Sequence, residues 1–176
     1  MTERRFTFLI TEYEKLKDEQ HKRVEFRDQM IYITLGAIGA VFSYALQKPE
    51  AEIALLVLPF VCLIMGWTYL TNDYKISQMG AYIRKKLIPE ILKDPNLTED
   101  TQINWEIFNR THNRRKRHKL LQLVVDITIF GISGVVSVMT FIVLHSELNF
   151  YHLILISLEF LALFYLIFLY ISYTEF

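Results

Sequence analysis

Positive charge is missing from long parts of this chain. No Lys or Arg follows Lys119, and Lys48 stands alone between Arg27 and Lys75. Cysteine is nearly missing as well. Cys62 is the one thiol, so no disulfide framework exists. Helix breakers are scarce, with six glycines and four prolines in 176 residues. Enzyme signatures are also absent. The chain has no Gly-rich phosphate loop, no HExxH and no CxxC. It has no GxSxG elbow. His21, His112, His118, His145 and His152 combine into no zinc pattern. The expectation is a protein that is not an enzyme and uses neither cofactor nor metal.

What the chain does have is hydrocarbon, in four blocks. Met30 to Leu46 and Ile53 to Leu70 carry no charge. Leu120 to Leu144 carries only Asp126, and Leu153 to Tyr173 only Glu159. A helix crosses a bilayer core with roughly 20 apolar residues, range 17 to 25. Lipid offers backbone groups no water, so such runs must be helical. The predicted class is all-α, with transmembrane helices over 30–47, 53–71, 120–145 and 152–173. Residues 1–29 are expected as a cytoplasmic helix and 72–119 as a cytoplasmic helical hairpin. Together these extensions would form a small bundle, and the chain would be one unit, without a separable soluble domain.

The basic residues set the orientation. Seven precede Met30 and eleven lie from Asn72 to Lys119. The positive-inside rule therefore puts both termini and the middle loop in the cytoplasm. The hairpins Gln47 to Glu52 and Ser146 to Asn149 face out. No signal peptide is expected, because the first 29 residues are charged rather than apolar. The Asn96 and Asn109 sequons fall on the cytoplasmic side, where glycosylation does not act.

Local patterns add detail. Phe6, Leu9, Tyr13 and Leu16 form a heptad seam. It suits packing on the chain's own cytoplasmic part, or contact with neighbouring copies or a cytosolic partner. No Gly or Pro interrupts the chain before Gly36, so this helix should run into the first span. Gly36, Ala40 and Ser43 form a small-residue stripe, which packing inside one subunit would use. Pro59 should kink the second span. Trp67, Tyr69 and Tyr74 suit a membrane interface. Ile76, Met79, Ile83 and Leu87 carry that helix onward, with Pro89 as its end or a kink. "KDPNLTED" reads as a loop. A third helix should start near Thr101 and pass through the basic cluster into the third span.

Three groups of candidate residues follow. Five of the six residues from Arg114 to Lys119 are Lys or Arg. They satisfy topology and anionic lipid, or they bind a phosphate-rich cytosolic ligand. For the ligand, Arg84, Lys85, Arg110, Arg114 and Arg117 are the candidate residues, since Arg makes bidentate phosphate contacts. Tyr82, Trp105 and Phe108 would supply stacking faces. The second group would line or gate a pore: Asp126, Ser133, Ser137, Thr140 and Glu159. Charge inside a span is costly and points to function, although the hydroxyls would serve helix–helix hydrogen bonds equally well. His145, Glu147 and His152 stand toward the outer side, where a His and Glu lining would carry protons or cations. The third group is Asn72 and Asp73, where the second helix leaves the membrane. Asp73 is expected to pair with an Arg of the basic cluster and so couple cytoplasmic helix to span.

"GWTYL", "ND", "KIS" and "YIR" between Gly66 and Arg84, with "INWE" at Ile103 to Glu106, resemble a group of small bacterial inner-membrane proteins. In size, span number and basic cytoplasmic helix the chain is also similar to the membrane effectors of Hailong-type anti-phage systems. That resemblance implies a homo-oligomer in the inner membrane. A nucleotide or oligonucleotide signal, made by a nucleotidyltransferase partner, would open a channel that collapses the membrane potential. It transfers no ligand-binding residue. Two other functions fit the residues themselves: a non-conducting scaffold that anchors a cytosolic partner, and a small proton-coupled transporter that uses Glu159.

Overall fold

A computed structural model describes residues 3–47, 49–93, 115–145 and 147–173. Among these residues there is no strand. Helix α1 runs without a break over Glu3–Gln47. A 3-10 segment, Pro49–Val57, leads into α2, Leu58–Tyr82. A π turn, Ile83–Leu87, and a short α3, Ile88–Ile91, complete that stretch. Helix α4, Arg115–Asp126, passes through a π turn, Ile127–Ile132, into α5, Ser133–Leu144. Helix α6 covers Phe150–Tyr173. Four helical stretches are long and apolar enough to cross a membrane: Glu3–Gln47, Glu50–Ile91, Arg117–Leu144 and Phe150–Tyr173. The expected loop "KDPNLTED" and the helix start near Thr101 lie outside the described residues.

The prolines act differently from expectation at one site. Pro59 is the second residue of α2 rather than a mid-span kink. A proline is tolerated in a first turn because its missing N–H has little to do there. Pro89 behaves as foreseen, near a helix end. Its ring crowds the carbonyl four residues back, and the helix widens there, so that the Ile88 N–H reaches the Ile83 carbonyl in the π pattern.

The chain divides into two compact units. Unit 1 is Met1–Arg27 with Asn72–Arg117, and unit 2 is Asp28–Thr71 with His118–Phe176. The boundary falls close to where the charged and uncharged segments of the sequence meet.

In unit 1 the heptad seam finds its partner inside the chain. Phe6, Leu9, Ile10, Tyr13 and Leu16 pack on buried Ile83, Leu87, Ile88 and Ile91. The two helical segments run antiparallel, as the polar contacts along them show. Arg5 meets Glu90 at 3.0 Å, the Tyr82 hydroxyl donates to Glu12 at 2.8 Å, and Arg23 reaches Asn72 at 3.3 Å. The bond to Glu12 holds the Tyr82 phenol above its ordinary pKa. Lys93, with a smaller contribution from Arg5, holds the Glu90 carboxyl below the usual carboxylate range.

In unit 2 three apolar clusters form the core. One joins Met30, Tyr69, Leu123, Phe130, Leu166 and Tyr170. A second joins Leu58, Cys62 and Leu163. The third joins Ala45, Leu55, Leu56, Val138, Phe141 and Ile156. Tyr69 is buried in the first of these, whereas Trp67 and Tyr74 are exposed. Close approach is achieved through glycines the sequence did not single out. A Cβ on Gly134 would stand 2.9 Å from Leu163, and one on Gly66 2.9 Å from Leu166. The stripe on α1 is not used this way. Among the described residues, Gly36 has open space around it, and Ala40 and Ser43 are exposed, so none of these residues packs closely on the stripe. Helix α1 is also the least covered: 17% of its apolar window is buried, against 33–39% in the other three.

Candidate functional site

The hydroxyls expected to line a pore are engaged within the chain. Ser137 is fully buried and donates to the Leu55 carbonyl at 2.7 Å. Leu55 lies in the 3-10 segment, where its carbonyl accepts from the Leu58 N–H three residues on, and Pro59 has no N–H to add a second bond. The Ser137 hydroxyl takes the carbonyl's remaining lone pair. Ser133 and Thr140 bond their own helix, at Thr128 O (3.0 Å) and Val136 O (2.8 Å). Such back-bonding satisfies a hydroxyl that faces lipid or a neighbour. The π turn at Ile127–Ile132 separates Asp126 from this stripe. One added residue turns the helix face by about 100°, so straight helical counting from Asp126 to Ser133 misplaces them. Asp126 itself is buried at the end of α4.

Replacing Ser137 by Ala should cost about 1 kcal/mol, within the range for hydrogen bonds between membrane helices. In a Pro59→Ala background the cost should shrink, because residue 59 then carries an N–H. A double-mutant cycle on unfolding of the purified protein in detergent checks this. Equal costs in both backgrounds would detach the hydroxyl from the missing proline donor.

Glu159 behaves differently. It is 3% exposed, and neither carboxyl oxygen has a hydrogen-bond partner among the described residues. It lies on the buried seam of α6, Ile156, Glu159, Leu163, Leu166 and Tyr170, in steps of three and four. Its seam neighbours Ile156 and Leu163 belong to two of the apolar clusters.

A second polar group stands at the end of unit 2 that holds the hairpins. His145 Nδ1 lies 3.1 Å from a Glu52 carboxyl oxygen. The His145 ring stacks on Phe141, with centroids 4.9 Å apart. His152 meets His145 edge to face at 5.0 Å and accepts from the Asn149 N–H at 3.4 Å. His145 and His152 were legible as candidates, and Glu52 was not. It lies 93 residues from His145, with no local pattern to join them. Among the described residues no group of three potential ligands is placed to hold a metal ion.

The coupling residues in unit 1 are engaged from α1. Asn72 is buried, donates to the Arg23 carbonyl at 2.8 Å and accepts from the Arg23 guanidinium. Asp73 is held by Arg27 at 3.0 Å. Both arginines come from the N-terminal helix, which the sequence reading did not select. Of the candidate anion ligands, Arg84 and Lys85 lie in the π turn before Pro89, and Arg117 lies in the first turn of α4. One guanidinium nitrogen of Arg84 is buried without a hydrogen-bond partner among the described residues. Arg110 and Arg114 lie outside the described residues, as do Trp105 and Phe108. A groove of about 310 Å³ in unit 2 is lined by Leu63, Ile64, Trp67, Thr68, Tyr165 and their neighbours. Its one aliphatic hydroxyl, on Thr68, bonds the Ile64 carbonyl, so the groove suits hydrocarbon. No protein-family model matches the chain, and no curated protein or solved structure matches it.

Proposed function

We propose that the chain is a multi-pass effector of a bacterial cytoplasmic membrane, assembled as a homo-oligomer, that conducts ions on a cytosolic signal. Unit 1 and both termini lie in the cytoplasm in this reading, as the distribution of Lys and Arg requires. The observation that carries conduction is Glu159, a buried carboxyl in an apolar span without a hydrogen-bond partner among the described residues. Such groups are expensive to hold in a membrane and mark ion or proton pathways. The signal is anionic. Arg84, Lys85, Arg110, Arg114 and Arg117 give it phosphate contacts, and the resemblance to anti-phage effectors points to a nucleotide or oligonucleotide. The signal acts by binding the open and closed states with different affinity. Helices α1 and α2 are unbroken on the way to their spans, and the Arg23–Asn72 and Arg27–Asp73 contacts tie them together.

Expression in bacteria with a potential-sensitive dye tests this. The parent should depolarise the cells, and Glu159→Gln at matched membrane levels should not. Equal depolarisation by both would remove Glu159 from the conducting path. No depolarisation by either, with a nucleotide-rich extract supplied to inverted vesicles, would remove conduction.

A second reading, a small proton-coupled transporter, is favoured by the Glu52–His145–His152 group together with Glu159. The Phe6 to Leu16 seam, on which a scaffold would rely, is partly buried against Ile83, Leu87, Ile88 and Ile91.

A further inference from the structure

We propose that Glu159 is an exchangeable proton-binding site, reached from the end of the membrane unit where Glu52, His145 and His152 cluster. The proposal rests on the membrane placement of unit 2 but not on conduction. Three observations carry it.

The first is the environment of the carboxyl. Glu159 is buried on both oxygens without a donor among the described residues, between the clusters of Leu55, Val138 and Ile156 on one side and Leu58, Cys62 and Leu163 on the other. Keeping a carboxylate charged there without a partner costs several kcal/mol. No Lys or Arg of the spans is available to relieve that cost, because none lies between Lys48 and Lys75 or after Lys119. A bound proton removes it.

The second is position. Glu159 is nine residues into α6, which begins at Phe150. At 1.5 Å per residue that is roughly 14 Å from the helix start, near the middle of a core about 30 Å thick. The proton is therefore held far from either surface.

The third is a line of titratable groups on one side only. His152 precedes Glu159 by seven residues, nearly two full turns, so both lie on similar faces of α6 about 10 Å apart. The His152 ring touches His145, and His145 touches Glu52. The remaining ionisable groups of unit 2 among the described residues are Asp28, Tyr32 and Tyr44 on α1, Glu50 beside Glu52, Cys62 and Tyr69 on α2, His118, Lys119 and Asp126 on the third stretch, Glu147 in the second hairpin, and Tyr151, Tyr165, Tyr170 and Tyr173 on α6. Of these, Tyr44, Glu50, Glu147 and Tyr151 belong to the hairpin end. Imidazole passes protons at ordinary pH because its own charge changes there.

A hydrophobic carbodiimide reports on such a site. The acid's proton moves to one nitrogen of the reagent, and the carboxyl oxygen bonds to its central carbon. The adduct is an O-acylisourea, whose acyl group then moves from oxygen to the neighbouring nitrogen to give a stable N-acylurea; nothing leaves, and because the first step uses the acid's proton, only the protonated acid reacts. The full chain is reconstituted in proton-tight lipid vesicles with the pH set separately on each side, treated with dicyclohexylcarbodiimide, and mapped by peptide mass spectrometry. Glu159 should be labelled, and labelling should fall several-fold as the pH on the hairpin side is raised. Glu159→Gln should remove the label, and His152→Phe should blunt the response to hairpin-side pH while leaving the label itself. Circular dichroism of each variant shows that it is folded. Three results overturn the proposal: no label on a folded chain, labelling that ignores pH on both sides, and labelling that follows only the side of the basic loop. A chain that conducts nothing can still be labelled, so failure here and failure of the conduction reading are separate results.

Discussion

Leu87→Ala should release the N-terminal half of α1 from its partner. Leu87 is 2% exposed and sits at the centre of the unit 1 cluster, against Phe6 to Leu16. Truncating a buried Leu removes transfer energy and leaves a cavity, together about 2–5 kcal/mol. In the proposed topology unit 1 lies in water, where the hydrophobic effect applies to it in full. Amide exchange over residues 6–16 should quicken by roughly thirty-fold to several thousand-fold, at tenfold per 1.4 kcal/mol. Leu92 provides the control. It lies at the same end of the helix but is 49% exposed, and Leu92→Ala should leave the exchange nearly unchanged. The seam would lose its place in the core if both variants exchanged like the parent.

Gly66→Leu should prevent unit 2 from packing, while Gly36→Leu should not. The added Cβ at Gly66 already stands 2.9 Å from Leu166 Cδ2 and 3.0 Å from Phe130 Cβ. The rest of a leucine has no room there. Overpacking costs about 1–3 kcal/mol or more, and this site is poorly placed to relax. Phe130 is wedged against Tyr69 and Tyr170, with centroids at 5.2 and 6.2 Å, and the Tyr170 hydroxyl donates to the Gly66 carbonyl at 2.9 Å. At Gly36 a Cβ meets nothing within 4 Å. Thermal unfolding in detergent should show a large drop in midpoint for the first variant and almost none for the second. A comparable drop at Gly36 would place a neighbour there that this chain does not contain.

Much of this architecture is legible in the residues, because membrane spans are written as composition. Uncharged runs long enough for a bilayer locate all four helical stretches. The absence of Gly and Pro before Gly36 foretells the unbroken α1. Even the Arg27–Asp73 pair was within reach, since a turn near Pro49 and Glu50 brings those positions opposite each other on antiparallel helices. What resisted prediction depends on one-residue phase or on distant contacts. The π turn after Asp126 shifts a helix face, and no residue pattern announces it. Ser137 looked like a pore hydroxyl because its acceptor belongs to a backbone carbonyl 82 residues away. The stripe at Gly36 matched a packing motif, yet spacing alone cannot say whether the chain itself fills it. Glu159 was legible as a charge in oil, but its lack of any donor required the neighbours to be placed.

The Leu55–Ser137 bond also bears on how the chain is made. Ribosomes deliver the second span to the bilayer before residue 137 has been translated. At that stage the Leu55 carbonyl has its 3-10 donor but not the hydroxyl that later takes its second lone pair. The third span brings that hydroxyl after the first hairpin has been delivered, so the last bond on this turn is added by a later part of the nascent chain.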